Sequence, residues 1–377
     1  MKQSDCKRKK SSSLSQSERS CYLTLSWRIL LLLALTGCAH IGAEPAHAVQ
    51  TRIPQDSHDN TGPSLAAHFC PPEDCGAILS SLIADATTAD CALYDVSDER
   101  VLDALSTVDA RIVTHQPNAW KLSSLSPLHV RYAAAGRNGL MHNKFCVLQE
   151  ADGTGTLVTG SFNPTGSDSI NDLVVISDIA LPQPTRSSAY LLTDAFTFGR
   201  KRFALDAQRA YTTYATEFDE LWQSTYRGGP TGAYEGTSLS ARFCPDDDCQ
   251  GALLTEIALA RRSVHFFLYV LSDDMIALAL ADASHRGVAV SGVVDDSLDR
   301  YDATALLRQA GITVLEHHGA LLHHKAWVID EETVITGSYN PTANGNTAND
   351  ENMLIIRDRR IAAQYEARWR ELMSSQT

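Results

Sequence analysis

The body of this 377-residue chain is poor in basic residues. Lysine and arginine number 32 against 45 aspartate and glutamate residues, a formal charge of −13. Seven of the basic and two of the acidic residues fall within residues 1–37, so the remaining chain holds 25 basic and 43 acidic residues, a charge of −18. Proteins that bind nucleic acid without sequence preference carry the opposite sign, since phosphate contacts dominate their affinity. The composition therefore disfavours such a protein.

The chain also lacks a hydrophobic run long enough to cross a bilayer, which takes about 20 apolar residues. The run Ile29–Leu35 follows a basic, serine-rich head and has the length of a signal-peptide core. It ends in Leu35-Thr36-Gly37-Cys38, which resembles the lipobox of bacterial lipoproteins. We predict a lipoprotein-type signal peptide over residues 1–37, lipidation of Cys38 and a flexible tether over residues 38–64. The alternatives are an ordinary secretory signal and an uncleaved anchor.

This reading places the protein outside the cytoplasm. An acylated Cys38 would hold it on a membrane of the bacterial cell envelope, facing the periplasm or at the outer membrane. Cleavage of an ordinary signal would release it as a secreted protein.

Few of the cysteines are spaced as metal ligands. Two C-x4-C pairs occur in a shared octapeptide pattern 174 residues apart, Cys70 with Cys75 in HFCPPEDC and Cys244 with Cys249 in RFCPDDDC. Each pair lacks two further ligands nearby, as zinc would need, so two local disulfides formed in an oxidising compartment are predicted. Cys91 and Cys146 lie in apolar strand-like segments, where we expect buried thiols, with a bridge between them as the alternative.

What the sequence does contain is a duplication. After each C-x4-C pair come an apolar helix, a strand, a helix capped at Ser97 or Ser272, further strands and a closing aromatic helix. Helices that alternate with strands predict an α/β fold. The repeat predicts two units, residues 65–226 and 239–377, joined by a glycine-rich linker over residues 227–238.

The second unit carries a group of polar residues on a predicted hairpin, AWVID followed by TVITGSYN. His323 and Lys325 stand two apart at the start of the first strand, so their side chains share one face. Ser338 and Asn340 do the same at the end of the second strand. The hairpin therefore brings an imidazole, an ammonium, a hydroxyl and an amide towards one pocket.

The first unit repeats this arrangement with His142 and Lys144, followed by Ser161 and Asn163. A single His-x-Lys carries little information, because a lone histidine on a strand is more often structural. Two copies, each followed by a Gly-Ser-aromatic-Asn-Pro-Thr turn, indicate one duplicated site.

These residues resemble the phospholipase D superfamily, whose signature is H-x-K-x4-D followed by G-S-x-N. The second copy fits it in full, with His323, Lys325, Asp330, Gly337, Ser338 and Asn340, and with Glu351 where the family often has an acid. The first copy has Gln149 at the aspartate position and Asn171-Asp172 in place of a glutamate. The resemblance covers residues 65–374.

The resemblance implies two α/β sandwich-type units packed as a pseudo-dimer, with the active site at their interface and the protein a monomer. Lys144 and Lys325 would neutralise a phosphodiester, helped by donors from Asn163, Asn340, Ser161 and Ser338. No metal or cofactor is required. Asp330 is expected to be a structural carboxylate, and His324 to point away from the site.

One imidazole would attack phosphorus and the other would protonate the leaving alkoxide. The resemblance favours His142 as nucleophile and His323 as acid. The opposite assignment follows if Glu351 orients His323, because an oriented imidazole is the better nucleophile. Phospholipid is the expected substrate because of the membrane tether, with nucleic acid as the alternative through exported endonucleases of the superfamily. Phosphatidyl transfer and a binding module without activity, suggested by Gln149, are the remaining hypotheses.

Overall fold

The structure is a computed structural model that describes residues 62–122, 125, 129–133, 139–181, 195–297 and 303–376. The predicted signal peptide, the lipidated Cys38 and the tether up to residue 61 lie outside the described residues. Within the described ranges, no helix is both long enough and apolar enough to span a bilayer.

The first half of the chain alternates strands and helices. Its elements are β1 (Ser64–Cys70), α1 (Cys75–Asp85), β2 (Ala86–Leu93), α2 (Glu99–Thr107), β3 (Asp109–His115), a 3₁₀ helix (Gln116–Leu122), β4 (Val130–Ala133), β5 (Lys144–Glu150), β6 (Thr154–Gly160), β7 (Asn171–Ala180) and α3 (Ala195–Trp222).

The second half repeats this order. Its elements are β8 (Tyr234–Glu235), β9 (Leu239–Cys244), α4 (Cys249–Leu259), β10 (Ser263–Leu268), α5 (Asp274–His285), β11 (Ala289–Asp295), α6 (Thr304–Gln309), β12 (Thr313–His317), β13 (Lys325–Ile329), β14 (Thr333–Gly337), α7 (Ala343–Thr347), β15 (Glu351–Arg357) and α8 (Arg359–Ser374). The short strand β8 falls within the segment predicted to be a linker.

Each half forms one mixed sheet with the same topology. The first sheet has the order β1-β7-β6-β5-β2-β3-β4 and the second β12-β11-β10-β13-β14-β15-β9-β8. In each sheet, three neighbouring strands at one side pair in parallel, β2–β3–β4 in the first and β10–β11–β12 in the second. The other pairings are antiparallel. The predicted duplicated α/β architecture is confirmed.

One apolar core joins the inner faces of the two sheets. It includes side chains of both sheets and of the helices α3 and α8 that close each half, among them Tyr214 and Tyr365. The outer face of the first sheet is covered by α1 and α2, and that of the second by α4, α5 and α6. Because inner and outer faces are both covered, the strands are buried on both sides.

The helices α2 and α5 begin one residue later than predicted. Their N-caps are Asp98 and Asp273, whose carboxylates accept from backbone N–H groups of the first turn. The backbone N–H of Ser97 instead donates to the carbonyl of Pro164 at 2.8 Å, and that of Ser272 to Pro341 at 3.1 Å. The serines therefore anchor the Asn-Pro turns of the site.

Both predicted local disulfides are present, Cys70–Cys75 and Cys244–Cys249. The expectation of free thiols at Cys91 and Cys146 is wrong, because these residues form a third disulfide. They stand directly opposite each other on β2 and β5, with Cα atoms 4.1 Å apart. Strand register, which cannot be read from either segment alone, brings the sulfurs together.

The predicted structural role of Asp330 is consistent with its contacts. Asp330 stands at the turn after β13, where its carboxylate accepts from the backbone N–H groups of Arg262 at 2.6 Å and Ser263 at 3.0 Å. The full length of β13 separates it from Lys325. Gln149 occupies the position near the end of β5 that corresponds to Asp330. Because this position is away from the site, glutamine in place of aspartate there removes no group from the site.

Candidate active site

The two His-Lys pairs lie at the N-terminal ends of equivalent central strands of the two sheets. Lys144 begins β5 and Lys325 begins β13. The histidine segments are bonded to the opposite half: the His142 N–H donates to the carbonyl of Asp350, and the His323 N–H to that of Ile170, both at 2.9 Å. One cleft thus receives a histidine from each half.

Two glycines allow the strands β6 and β14 to end close to their neighbours. Gly160 has φ 144° and Gly337 has φ 141°, values that favour glycine. A Cβ at either position would lie 2.4 Å from a backbone oxygen, that of Asp172 or Asn352. The Gly-Ser step of each motif is therefore a backbone requirement.

His142 is held by a carboxylate from the other half. Its Nδ1 donates to Glu351 Oε2 at 2.7 Å, and both side chains are buried. The alternative that Glu351 orients His323 is wrong. Since Nδ1 carries the proton, the Nε2 atom of His142 keeps its lone pair for a reacting group.

His323 has neutral partners. Its Nδ1 donates to Asn171 Oδ1 at 2.8 Å and to the carbonyl oxygen of Ser161 at 3.0 Å. Asn171 begins β7 as Glu351 begins β15. The two histidines are therefore oriented alike, but only His142 faces a carboxylate.

The two lysines make identical contacts. Lys144 Nζ donates to the carbonyl oxygen of His142 at 2.7 Å, and Lys325 Nζ to that of His323 at 2.6 Å. Each ammonium also lies over the face of a tyrosine ring. Lys144 Nζ is 5.2 Å from the centre of the Tyr94 ring, and Lys325 Nζ is 5.1 Å from that of Tyr269. The prediction that both lysines belong to one constellation with the histidines is consistent with these contacts.

Burial has the largest effect on the pKa values of the lysines and histidines in the cleft. It lowers the pKa of Lys144 to about 7. Burial and the neighbouring Lys144 lower the pKa of Lys325 well below its ordinary value. Burial and the two lysines likewise lower the pKa of His142 and of His323 well below the ordinary imidazole value. A bound anion would reverse these shifts by stabilising the charged forms.

Glu351 is shifted in the opposite direction. Burial raises its pKa to about 7, while Lys144 and hydrogen bonds from Ser338 and Asn349 act to lower it. The carboxylate is therefore poised to respond to charge that develops on His142.

The two motif asparagines and the two motif serines have different roles. The Oδ1 atoms of Asn163 and Asn340 are buried without a hydrogen-bond partner in the protein. Since buried polar groups are usually bonded, these carboxamides are candidates for binding a ligand. The serine hydroxyls were predicted to serve substrate, but they are bonded within the protein: Ser161 donates to Asp172 Oδ1 at 2.6 Å, and Ser338 accepts from the Asn352 N–H at 2.9 Å. They act by positioning the strands that follow.

Asp172 is the centre of a buried network between the halves. It accepts from Tyr365 at 2.6 Å and from Thr336 at 2.5 Å, and lies 3.0 Å from His324 Nδ1. Burial acts to raise the pKa of Asp172, but the hydrogen bonds, first that of His324, hold it below its ordinary value. The predicted structural role of His324 is consistent with these contacts.

Asn352 stands in the corresponding place of the second half. It accepts from Thr159 at 2.8 Å and from Tyr214 at 3.4 Å, and donates to Asn143 Oδ1 at 3.0 Å. The carboxylate and imidazole of Asp172 and His324 on one side are therefore replaced by the two amides of Asn352 and Asn143 on the other.

Sequence reasoning missed several residues of the cleft. His115, the last residue of β3, stacks on Tyr94 with ring centres 5.3 Å apart. Asp95 and Lys121 form an ion pair in which Nζ lies 2.6 Å from both carboxylate oxygens. In the repeat, Tyr94 of CALYDVSDERVLDAL corresponds to Tyr269 of FFLYVLSDDMIALAL. This match identifies the segment after β2 that carries Asp95, whereas no local signal singles out Lys121.

A cavity of about 480 Å³ opens beside His323. Its lining is mostly polar and comprises Asp95, Ser97, Lys121, Asn163, Thr165, Gly166, Ser167, Ser169, Leu321 and His323. Among the described residues, no three His, Cys, Asp or Glu side chains are grouped as a metal site.

The sequence is similar to proteins of one family. A phospholipase D from Rickettsia bellii is 30% identical over 168 residues, which cover 42% of this chain and 84% of that protein. The chain belongs to the phospholipase D family. The profile described as "Cardiolipin synthase, PLD-like domain" matches residues 253–373. The protein is thus a phospholipase D-like phosphodiesterase.

Two further proteins align with different shares of the chain. A mitochondrial cardiolipin hydrolase from Xenopus tropicalis is 31% identical over 135 residues, 34% of this chain and 64% of that protein. The structure of a phosphatidylserine synthase from Haemophilus influenzae aligns with 82% of this chain and 86% of its own, with a TM-score of 0.52 and 12% identity. This likeness supports a shared fold over both halves.

Proposed function

We propose that the protein hydrolyses phospholipids at the headgroup side of the phosphodiester, through a phosphohistidine and without a metal. The observation that carries the choice of lipid is the composition of the cavity and its rim. The one lysine in its described lining is neutralised by Asp95, so the cavity offers no surplus charge to a polyanion.

The rim beside this cavity carries apolar side chains. Trp120, next to Lys121 in the chain, is 73% exposed, and Leu321, which lines the cavity, is 39% exposed. Exposed large apolar groups beside a polar site are suited to a lipid surface. The names of the relatives from Rickettsia and Xenopus point to phospholipid substrates as well.

In the first step, Nε2 of His142 forms a bond to phosphorus while the bond to the alcohol oxygen breaks and His323 transfers a proton to that oxygen. The ring of His142 then gains positive charge, which the Glu351 carboxylate stabilises. Lys144 and Lys325 neutralise the phosphoryl oxygens, so this step requires no metal.

In the second step, His323 removes a proton from water, whose oxygen bonds to phosphorus as the bond to His142 breaks. The products are the free headgroup alcohol and phosphatidic acid. His323 must be protonated to start the cycle, although burial and the two neighbouring lysines lower its pKa. The bound phosphodiester anion raises that pKa by its charge.

The substrate class is tested with the protein lacking residues 1–37. It is offered vesicles of phosphatidylcholine, phosphatidylglycerol or cardiolipin, and plasmid DNA, each with and without EDTA. We expect headgroup release without DNA nicking. DNA cleavage in EDTA without lipid hydrolysis would identify a nuclease. Lipid hydrolysis that EDTA abolishes would contradict the metal-free step.

Glu351→Gln tests the carboxylate at the nucleophile. Glutamine keeps the shape but not the charge, so we expect kcat to fall by about 10²-fold, with the loss in phosphoenzyme formation. Rapid-quench measurement of the two steps checks this. Asn171→Asp, the matched change at His323, should leave formation less affected. Equal losses in the two variants would remove the special role of Glu351.

A further inference from the structure

The cavity beside His323 has a defined position relative to the reaction. If His142 attacks phosphorus, the leaving oxygen departs on the side of the acid, His323. Asn163 and His323 both line the cavity, so it adjoins the position of that oxygen. On the proposed function, the alcohol that leaves is the lipid headgroup, and the cavity is its binding site.

A row of hydroxyl groups forms one wall of this cavity. Thr165 Oγ1 and Ser167 Oγ lie 2.9 Å apart, and Ser167 Oγ and Ser169 Oγ lie 3.0 Å apart. Asn171 Nδ2 donates to Ser169 Oγ at 2.9 Å, and its Oδ1 holds His323. Each hydroxyl can donate and accept. The wall is therefore suited to a ligand that also carries several hydroxyls.

The charges in the cavity compensate each other. Lys121 Nζ lies 2.6 Å from both oxygens of Asp95, and the two side chains are only 19% and 20% exposed. A headgroup ammonium placed here would meet a carboxylate that already has its cation. It would lose water without gaining an unpaired anion, which is unfavourable.

The described lining holds no aromatic ring, and the ring of Trp120 at the rim already has the ammonium of Lys121 5.8 Å from its centre. Sites for quaternary ammonium groups use such rings to replace water around the cation. An uncharged polyol, in contrast, can bond to the hydroxyl row and to the edges of the ion pair without displacing either partner. A volume of about 480 Å³ is within the range of ligand pockets.

The duplicated half does not repeat this chemistry. Since Tyr94 corresponds to Tyr269, Asp95 corresponds to Val270. The turn after Asn340 forms the short helix α7 instead of the hydroxyl row. The polar cavity therefore belongs to one side of the cleft alone.

We propose that this cavity selects an uncharged polyhydroxyl headgroup, such as glycerol or inositol, over choline or ethanolamine. The hydroxyl row binds the polyol, and Lys121, by pairing with Asp95, keeps that carboxylate from attracting an ammonium headgroup. This inference rests on the proposed function, and it assigns a headgroup class to the site.

The test uses dihexanoyl lipids below their critical micelle concentrations, so that binding to a charged surface does not contribute. We expect kcat/KM for phosphatidylglycerol and phosphatidylinositol to exceed that for phosphatidylcholine and phosphatidylethanolamine by about tenfold or more. Lys121→Met leaves Asp95 without its cation, and should shift the ratio at least about tenfold towards the ammonium headgroups.

Two further variants distinguish the effect of the charge on Asp95 from a general effect of losing an ion pair. Asp95→Val with Lys121→Met removes both charges and should return the preference towards the polyols, because the hydroxyl row remains. Arg111→Met breaks ion pairs with Asp90, at 2.7 Å, and Asp219, at 2.9 Å. Arg111 and Asp90 lie on β3 and β2, the strands that precede Lys121 and Asp95. The Arg111 variant lies four residues before the end of β3, away from the cavity lining, and should leave the ratio unchanged.

The outcomes test the headgroup preference separately from phospholipid hydrolysis itself. A wild-type protein that hydrolyses these lipids but prefers phosphatidylcholine, or shows no preference, would overturn the headgroup assignment and leave the proposed function intact. An unchanged ratio in Lys121→Met would remove the role of the ion pair. Failure to hydrolyse any of the four lipids, or the vesicle lipids above, would overturn the proposed function itself.

Discussion

We expect His323→Asn to accumulate a covalent phosphoenzyme on His142 when it is offered an aryl phosphodiester. A good leaving group departs without a proton, so the attack by His142 can still occur. Hydrolysis of the intermediate still needs a base for water, which asparagine cannot provide. Steady-state turnover should therefore fall by about 10³-fold, while the first turnover persists as a burst.

The structural basis of this assignment is the unequal support of the two imidazoles. His142 Nδ1 is bonded to the Glu351 carboxylate, and His323 Nδ1 to the neutral groups of Asn171 and Ser161. A carboxylate stabilises the positive ring that forms when Nε2 bonds to phosphorus. His323 has neutral partners, which stabilise its protonated form less than a carboxylate would. Its imidazole can therefore donate a proton to the leaving oxygen and later accept one from water.

Burst kinetics and mass spectrometry after alkaline denaturation check this prediction, because the adduct maps to one histidine-containing peptide. His142→Asn serves as the reciprocal variant and should show no burst, with turnover reduced by at least about 10⁴-fold. An adduct on His323 in His142→Asn, with none on His142 in His323→Asn, would reverse the roles.

Lys144→Met should weaken catalysis and strengthen folding at the same time. Loss of one charge that faces the phosphoryl oxygens is expected to reduce kcat/KM by about 10³-fold. The same ammonium is buried, and burial lowers its pKa from 10.5 to about 7. Methionine fills a similar volume without a charge, so the folded protein no longer bears the cost of desolvating it.

The expected gain in stability follows from these two contributions. At about 1.4 kcal/mol per pKa unit, the shift corresponds to roughly 4 to 5 kcal/mol at pH 7 and below. Removing the bond to the carbonyl of His142 costs roughly 1 to 3 kcal/mol. We therefore expect the free energy of unfolding of Lys144→Met to exceed that of the wild type by about 2 kcal/mol at pH 7.

The sign of the pH dependence provides a second readout. The folded pKa of Lys144 lies below the unfolded value, so the unfolded wild type binds more protons between pH 7 and 10.5. Wild-type stability should rise with pH in that window because of this lysine, and the advantage of Lys144→Met should shrink from pH 7 to pH 9. Urea unfolding at the two pH values measures this.

Lys121→Met is the matched control for stability. Its ammonium is partly exposed and paired with Asp95, so methionine there leaves a carboxylate without a partner and should not stabilise the fold. A loss of stability in Lys144→Met, or a gain of equal size in Lys121→Met, would contradict the view that Lys144 is a destabilising functional group.

Much of the fold was predictable because its signals are local or repeated. Apolar periodicity and the duplicated cysteine octapeptides predicted two α/β units, and the His-x-Lys and Gly-Ser-x-Asn motifs predicted the residues of the cleft. Two-residue spacing on a strand is enough to place His142 with Lys144 and His323 with Lys325. The exact ends of helices were less predictable. At the start of α2, Ser97 and Asp98 are both suitable N-cap residues, and the local sequence does not distinguish between them.

The sequence by itself therefore determined the duplication, the family and the residues of each half-site, because each depends on neighbours along the chain. The tertiary structure alone decided which groups meet across the two halves. Glu351 contacts His142, 209 residues away, rather than His323, and Cys91 meets Cys146 across two strands. The hydroxyl row and the Asp95–Lys121 pair likewise form one cavity only after folding. Contacts of this kind depend on strand register and on the packing of whole sheets, which no local pattern specifies.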